Sequence, residues 1–382
     1  MNKNYFRVLS IRRHKNITFI NVYCNYFGII QCMADNEIIK DINCGDLIEC
    51  NIINDKNNKG KSIIRITKIN KLIKCSNFPS YKGITNEIDN QELDNYLNSR
   101  NCGNQLKILK FKRELLNEIK NILNESNYFE ATGLLNTVEN YTSGSNIEPA
   151  IIQNRNINQP KYLRITMENQ LKQITATLLK SSYAIEKVYR NMGEDASHIN
   201  EFLMLELISI DSNMEKMLEF IKKIDNLVKI IGKNNDIIIP EKELKVIDYS
   251  ELNAKNYDLI RKGFTNTIVL NFPCESPYIQ KDENGKRKEV RWYVNGHWIG
   301  HYYQDEFEYE NVKEILKIQN ENTNKENINP MSYFEWGLPP TISLGLSIDR
   351  WLQMLMDLNN INSIANPISL DYKRRIRIWN MY

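Results

Sequence analysis

An arginine, a phenylalanine and a glutamate follow one another at a spacing that could bind a nucleotide. The run AIEKVYR (184–190) predicts a strand that ends at Arg190, and a polar loop leads to a second strand carrying Phe202 and Glu206. An arginine on the outgoing strand and a ring on the returning one can face the same side of a sheet, where they would clamp a phosphate and stack a flat base. A surface hairpin with one ion pair is the alternative explanation.

A second segment, WGLPPTISLGLSIDRWLQML (336–355), predicts a strand that leads directly into an apolar helix. Its small residues Ser343, Gly345 and Ser347 would let the strand approach a ligand closely. Arg350 lies in the first turn of the helix, where it can reach a polyphosphate that also meets the helix N-terminus. The alternative is that Arg350 pairs with a nearby acid.

Together these segments resemble motifs 2 and 3 of class II aminoacyl-tRNA synthetases. The resemblance is closest to the lysyl enzymes, in the subgroup that also includes the aspartyl and asparaginyl enzymes, and it extends over most of the chain. Glu168 precedes Arg190 by 22 residues, as in that family, and FPCESP (272–277) is similar to its P-x-E-x-S-P segment. Other similar segments, in chain order, are RRHKNITFINVYCNYFGIIQ, KGKSIIRITKINKLIKCSNFPSYKGIT, SGSNIEP and YLRITMENQLKQ.

The resemblance implies an adenylating site on a six- or seven-stranded antiparallel sheet. Arg190 would hold the α-phosphate of ATP and stabilise the charge that develops during in-line attack by the amino acid carboxylate. Phe202 would stack the adenine, with Arg350 on the other face of the base or on the γ-phosphate. His198 would line the triphosphate channel. Arg190 and Arg350 are thus the expected catalytic residues.

The resemblance also implies an amino acid pocket and a metal. Glu168 and Glu206 would bind the ammonium groups of the amino acid, since a buried cation needs a paired carboxylate. Gly144, within SGSNIEP, and Trp298 would line the same pocket. Mg²⁺ would bridge the phosphates, with Asp305 as its protein ligand.

The sequence departs from the family pattern around this pocket. Trp298 stands where the family has a metal-binding Glu, Met192 where a Glu reads adenine, Ile208 where a Tyr helps to hold lysine, and Gly133 where motif 1 has a Pro. These changes spare the two arginines and therefore favour altered specificity over loss of function. The candidate carboxylates for a substrate ε-ammonium are Glu306, Glu308, Glu310 and Glu314.

The first 78 residues predict a small basic barrel. They contain 13 Lys and Arg against six Asp and Glu, whereas the other 304 residues sum to −4. Short β-branched runs at 17–23, 28–34, 46–53 and 61–69 suit a closed barrel such as the OB-fold, which the resemblance identifies as an anticodon-binding domain. The expected RNA-binding residues are Arg12, Arg13, Lys15, Tyr23 and Phe27. Equally, the aromatic residues could close the barrel core and the basic ones only solubilise it.

The rest of the chain predicts an α+β catalytic domain over 104–382, after a linker over 79–103. Apolar residues at spacings of three and four predict helices over 106–124 and 214–231. The runs at 267–272 and 290–300 predict strands.

The sequence predicts a cytosolic protein with reduced, mostly buried cysteines, because it has neither an apolar signal region nor an 18-residue apolar run. Three functions remain open. The first is formation of an aminoacyl-adenylate and its transfer to tRNA by a homodimer. The second is ligation of an amino acid to a protein or a small molecule, and the third is non-catalytic RNA binding.

Overall fold

A computed structural model gives the fold. The residues that it describes are 5–24, 28–56, 62–75, 104–139, 148–153, 161–191, 193–210, 212–252, 257–276, 278–313 and 336–365. They fall into two compact units, one within residues 1–106 and the other within residues 107–369. The predicted linker over 79–103 lies outside the described residues.

The first unit is a closed barrel of five strands in the order β1-β2-β3-β5-β4. The strands are β1 (Tyr5–Arg13), β2 (Ile17–Cys24), β3 (Gly28–Asp35), β4 (Leu47–Lys56) and β5 (Ser62–Ile73). The sequence of β2, ITFINVYC, alternates strictly between buried and half-exposed side chains, as expected for a strand with one face on a core. Ile20 and Val22 therefore point into the barrel, and Phe19, Asn21 and Tyr23 point outward.

The six cysteines that lie within the described residues are unpaired. The prediction that most are buried is wrong, because only Cys24 and Cys32 are buried and the other four are half-buried. Burial raises the pKa of Cys32 to about 11, which keeps this thiol protonated at neutral pH.

The second unit is built on an eight-stranded sheet with the order β12-β13-β14-β15-β16-β11-β10-β6. The outermost pairs, β12 with β13 and β6 with β10, are parallel, and the pairs between them are antiparallel. The expected six- or seven-stranded antiparallel sheet therefore lacks the parallel edge strands β6 and β12 that the structure contains. The strands are β6 (Phe129–Glu130), β10 (Ser182–Tyr189), β11 (Glu201–Ile210), β12 (Lys245–Asp248), β13 (Asn266–Pro273), β14 (Lys288–Val294), β15 (His297–Gln304) and β16 (Thr341–Ser347). A small second sheet contains β7 (Val138–Glu139), β8 (Ile151–Ile152) and β9 (Lys161–Leu163).

Helices cover the large sheet and close its core. They are α1 (Asn104–Glu125), α2 (Glu168–Leu178), α3 (Met214–Asn234), α4 (Tyr257–Lys262), α5 (Ile348–Leu355) and α6 (Asn362–Ala365), with a 3₁₀ turn at Tyr249–Glu251. The predicted helices over 106–124 and 214–231 are confirmed as α1 and α3. Trp292 of β14 and Trp351 of α5 meet at 5.3 Å between ring centroids in the shared core. None of the helices in the described part of the chain is long and apolar enough to cross a membrane.

The predicted strand over 290–300 is in fact a hairpin. Asn295 and Gly296 form its turn with φ angles of 48° and 73°, and Asn-Gly tolerates this left-handed pair better than other dipeptides. The turn separates β14 from β15. Further along β15, a Cβ atom on Gly300 would lie 2.8 Å from the carbonyl oxygen of Gly345 on β16. Only glycine therefore lets these two strands pair so closely.

Candidate active site

Arg190 and Phe202 lie together at the end of the β10–β11 hairpin. Val188 pairs with Phe202 in the antiparallel register, and the backbone N–H of Arg190 donates to Asn200 at 2.9 Å. The Cζ atom of Arg190 lies 5.2 Å from the centroid of the Phe202 ring. The predicted strand, loop and strand are confirmed, and the arginine and the ring share one side of the sheet.

The guanidinium of Arg190 is weakly held. Its Nε donates to the carbonyl of Ile165 at 3.3 Å, and Nη2 lies 3.8 Å from the sulfur of Met204. Burial lowers the pKa of Arg190, and the nearby Glu206 opposes that shift. A half-buried cation with so few ligands is suited to receive an anion.

Arg350 approaches the same region from α5. Its Nε donates to the carbonyl of Ser197 and its Nη1 to that of Trp298, both at 3.3 Å. Burial and the positive charge of Arg190 lower the pKa of Arg350, so the two guanidinium groups repel each other. Within the described ranges neither arginine has a carboxylate at salt-bridge distance.

The position of Arg350 is fixed by its neighbour Asp349. This buried carboxylate accepts from the backbone N–H of Leu203 on β11 at 2.8 Å and from the ammonium of Lys112 on α1. Three elements therefore meet at one side chain in the first turn of α5. Arg350 itself makes no ion pair with an acid among the described residues, so the structure does not support that alternative.

His198 lies on the loop between β10 and β11, and Asp195 holds it there. The backbone N–H of His198 donates to Asp195 at 2.8 Å, and the imidazole Nδ1 lies 2.9 Å from the same carboxylate. Gln353 of α5 donates to the carbonyl of Ala196 at 2.8 Å, which anchors the loop to the helix that carries Arg350.

Glu206 is a buried carboxylate on β11, four residues after Phe202. It accepts from the hydroxyl of Thr166 at 2.8 and 2.9 Å and from the backbone N–H of Met167 at 2.7 Å. Burial raises the pKa of Glu206 to about 7, although these hydrogen bonds and Arg190 act in the opposite direction. A carboxylate of this kind gains most from a cationic ligand.

Glu168, the first residue of α2, already has a cationic partner. The ammonium of Lys172 and the hydroxyl of Tyr303 both donate to its Oε1, at 2.6 and 2.9 Å. Burial favours the neutral acid, but these two donors outweigh it and hold the pKa of Glu168 below its usual value. Lys172 is itself inaccessible to solvent.

Asp305 shares the ammonium of Lys172, which lies 2.8 Å from its Oδ1. Thr341 donates to Oδ2 at 2.8 Å, and Ser343 lies within 2.9 Å of both oxygens. Burial and the charge of Glu168 raise the pKa of Asp305, and Lys172 and the hydroxyls oppose that shift. Ser343 is therefore a hydrogen-bond donor here, a role that its small size alone did not suggest.

These groups do not fit a Mg²⁺ ion. A magnesium ligand must approach to about 2.0–2.1 Å in octahedral geometry, but both oxygens of Asp305 already accept hydrogen bonds and an ammonium lies beside them. Trp298 offers no side-chain oxygen. Among the described residues no cluster of three or more His, Cys, Asp or Glu could hold a metal ion.

Trp298 packs over a different part of the site. Its indole lies 4.5 Å from the guanidinium carbon of Arg291 and 5.2 Å from the ring of His301, and 40% of the residue is exposed. Glu289 accepts from both Arg291 and His301. Trp298 therefore contributes its backbone carbonyl to Arg350 and its ring to a separate stack.

The remaining predicted site residues lie either outside the described residues or in other surroundings. Gly144, Met192, Phe27 and Glu314 lie outside the described residues. Glu306 is buried and accepts from the backbone of Phe307 and Glu308, and Glu308 and Glu310 are exposed. Gly133 has a φ of 81°, which proline cannot adopt, so the glycine at this motif 1 position is required by the backbone.

The basic residues of the barrel divide into two kinds. Arg12 and Lys15 are exposed, and Tyr23 is half-exposed on the outer face of β2. Arg13 instead donates to the carbonyls of Ile39, Lys40 and Ile42, each at 3.3 Å. Arg13 thus fastens the barrel, while the other three residues face outward.

Sequence reasoning missed Lys172, Thr341, Tyr303 and Phe19. The spacing of Glu168 and Lys172, four residues apart in the sequence, is a signal for an ion pair wherever the segment is helical. The contacts of Lys172 with Asp305, far away in sequence, had no such signal. Phe19 lies on the outer face of β2, the same face as Tyr23, as the alternation of that strand indicates.

The comparisons with known proteins agree with this geometry. The sequence profile of the class II tRNA synthetases (D, K and N) matches residues 89–366. The chain belongs to this family. The matched residues include both the strand–loop–strand with Arg190 and the strand–helix with Arg350.

Relatives in this family are lysine–tRNA ligases. The enzyme of Buchnera aphidicola subsp. Schizaphis graminum is 25% identical over 342 residues, which cover 74% of this chain and 67% of that enzyme. The enzyme of Wigglesworthia glossinidia brevipalpis is 24% identical over 95% of this chain and 86% of its own length. That of Neisseria gonorrhoeae (strain ATCC 700825 / FA 1090) is 21% identical over 90% of this chain and 80% of its own. The chain thus spans between about two thirds and six sevenths of these enzymes.

Proposed function

We propose that this protein is an ATP-dependent aminoacyl-tRNA synthetase that activates an amino acid, in the first instance lysine, and transfers it to tRNA. The observation that carries the proposal is the convergence of Arg190 and Arg350 beside Phe202, with no carboxylate partner for either guanidinium in the described ranges. Two half-buried, mutually repelling cations are stabilised by a polyanion between them. An aromatic ring next to them suits a nucleotide.

In the first step an oxygen of the amino acid carboxylate attacks the α-phosphorus of ATP. The bond from that phosphorus to the oxygen bridging the β-phosphate breaks, and pyrophosphate leaves with the electron pair. Arg190 would bind the α-phosphate and stabilise the charge that builds up on its oxygens, and Arg350 would bind the nucleotide from α5. In the second step a ribose hydroxyl at the end of the tRNA attacks the carbonyl, and AMP leaves.

Glu206 is the carboxylate proposed to bind an ammonium group of the amino acid. Its pKa of about 7 means that a cation would both bind and drive off a proton. Glu168 already carries the charge of Lys172, so a substrate ammonium there would share that carboxylate. His198, held by Asp195 on the loop, would line the path of the triphosphate. Trp298 would border the pocket.

No step is assigned to a protein-bound Mg²⁺, since Asp305 and its neighbours do not fit one. A divalent ion that arrives with ATP belongs to that substrate. We also propose that the barrel, whose strand order β1-β2-β3-β5-β4 suits an OB-fold, binds the tRNA anticodon through its outer face. On that face Phe19 pairs with Arg12 of β1 and offers one stacking surface, and Tyr23, four residues further along β2, offers a second.

The test is amino-acid-dependent ATP–pyrophosphate exchange with each of the standard amino acids, followed by charging of total tRNA. We expect exchange with lysine and charging of its tRNA. Exchange without charging would favour ligation to another acceptor. No exchange with any amino acid, together with salt-dependent RNA binding, would favour the non-catalytic function and contradict the proposal. The family resemblance further supports a homodimer, which sedimentation equilibrium would test.

A further inference from the structure

Lys172 is the most completely enclosed cation among the described residues of the site. Its side chain is 0% exposed, and its ammonium lies 2.6 Å from Glu168 and 2.8 Å from Asp305. The ring of Tyr278 covers it, with the nitrogen 6.0 Å from the ring centroid. One nitrogen therefore bridges the buried carboxylate of Asp305 and the half-buried carboxylate of Glu168, which come from different elements of the fold.

The remaining ligands of the two carboxylates are hydroxyl groups. Tyr303 donates to Glu168, and Thr341 and Ser343 donate to Asp305. Every one of these donors stabilises an ionised carboxylate. Bridging of two carboxylates, with neutral oxygens completing the surroundings, is the arrangement that a divalent ion imposes on a site, yet the cation here belongs to the chain itself.

We propose that the ammonium of Lys172 takes the place of a protein-held divalent cation at Asp305. The ammonium balances one of the two negative charges of Asp305 and Glu168 and reaches both carboxylates through its N–H donors. A Mg²⁺ ion at the same carboxylates would lie within a few ångströms of the ammonium, and their repulsion would be strong in a site without water. The protein therefore contributes no metal ligand from this position, and the nucleotide phosphates alone hold any Mg²⁺ that accompanies ATP.

This cluster is defined by its own contacts, and only its meaning for nucleotide binding rests on the proposed function. Removal of Lys172 should turn the cluster into a metal site, because Asp305 and Glu168 would then face each other without a cation. The probe is Mn²⁺, whose free concentration is measured by electron paramagnetic resonance. The full chain is titrated without nucleotide as wild type, Asp305→Asn, Lys172→Met and the double variant Lys172→Met/Asp305→Asn.

We expect the wild type and Asp305→Asn to bind Mn²⁺ equally weakly. Lys172→Met should bind at least about tenfold more tightly than the wild type, and the double variant should lose that gain. Binding by the wild type that depends on Asp305 would overturn the proposal. So would a folded Lys172→Met protein that binds no more tightly than the wild type.

A second measurement applies even where Lys172→Met does not fold, as circular dichroism would reveal. The Mn²⁺ concentration for half-maximal binding of a non-hydrolysable ATP analogue is compared between the wild type and Asp305→Asn. We expect agreement within about twofold, whereas loss of a true metal ligand would raise that concentration by about tenfold or more and overturn the proposal. If the wild type binds no nucleotide, the proposed function fails, and the nucleotide-free titration still decides the role of Lys172.

Discussion

The two ends of the site treat positive charge in opposite ways. At one end Arg190 and Arg350 repel each other and contact only carbonyl oxygens, a sulfur and a ring. At the other end Lys172 bridges two carboxylates that are saturated with hydrogen bonds. A cation without a carboxylate at salt-bridge distance is poised for an external anion, and a paired one maintains structure. The pairing state of a buried cation thus separates binding groups from structural ones.

Replacing Arg190 by Gln should have the largest effect on activity. The rate of lysine-dependent ATP–pyrophosphate exchange should fall by about 10³-fold, because the group that stabilises the transition state is removed. The melting temperature should hardly change, since Arg190 has no carboxylate partner in the described ranges.

The matched control is Arg287→Gln. Arg287 also donates to a backbone carbonyl, that of Ile279 at 2.9 Å, but it lies away from Phe202. Its exchange rate should stay within about twofold of the wild type, because surface changes of this kind cost little. If Arg190→Gln unfolds, or if the exchange rate falls equally in both variants, Arg190 is not a specific binding group for the nucleotide.

Replacing Lys172 by Met should mainly affect stability. Urea unfolding should give a loss of about 3 kcal/mol, since the buried Asp305 and the half-buried Glu168 lose their cation, and the hydroxyls of Thr341 and Ser343 limit the damage. The control is Lys187→Met, whose partner Glu201 is similarly exposed to solvent. That variant should lose no more than about 1 kcal/mol. Equal losses would contradict the structural role of Lys172.

The pH dependence of lysine binding should report Glu206. With a pKa of about 7 in the free protein, the affinity should rise about tenfold from pH 6 to pH 8 as the carboxylate ionises. Calorimetry in buffers of different ionisation enthalpy should detect the released proton. Stability responds with the opposite sign, because the raised pKa stabilises the fold at low pH and that contribution is lost as the pH rises through 7. Glu206→Gln should bind weakly at every pH, and a flat profile in the wild type would argue against Glu206.

The smallest effect is expected in the barrel. There Arg12 and Arg13 repeat the comparison between a cation available to a ligand and one held by the protein. Arg12 is exposed, and Arg13 is bound to three carbonyls. Arg12→Gln should weaken tRNA binding and reduce the slope of log affinity against log salt by about 1. Arg13→Gln should leave that slope unchanged and lower the melting temperature of the barrel. Reversed results would mean that Arg13, and not Arg12, contacts RNA.

Sequence patterns predicted the local features of the site well. The strand–loop–strand around Arg190 and the strand–helix around Arg350 are confirmed, because each depends on neighbouring residues. The spacing of apolar residues also predicted α1, although Leu109, which fits that spacing, is only half-buried and the buried face contains Ile108, Phe111 and Leu115. Leucine is common on both faces of this helix, so the periodicity fixed the element better than its orientation.

Long-range contacts were the part that the sequence did not predict. Lys172 and Asp305 are 133 positions apart, and their pairing depends on how α2 lies across the sheet. The hairpin at Asn295 was missed for a different reason. The apolar run on both sides of the turn outweighed the Asn-Gly dipeptide, which is the stronger signal.

The closeness of β15 and β16 at Gly300 has a consequence for how this protein can change over evolution. A methyl group there would meet the carbonyl oxygen of Gly345 and push the two strands apart. Asp305 follows the first of these strands, and Ser343 belongs to the second. A single added carbon at Gly300 would thus displace Asp305 and Ser343 and weaken the binding of Lys172, although no charge changes. Evolution of this chain therefore has no tolerated substitution at Gly300.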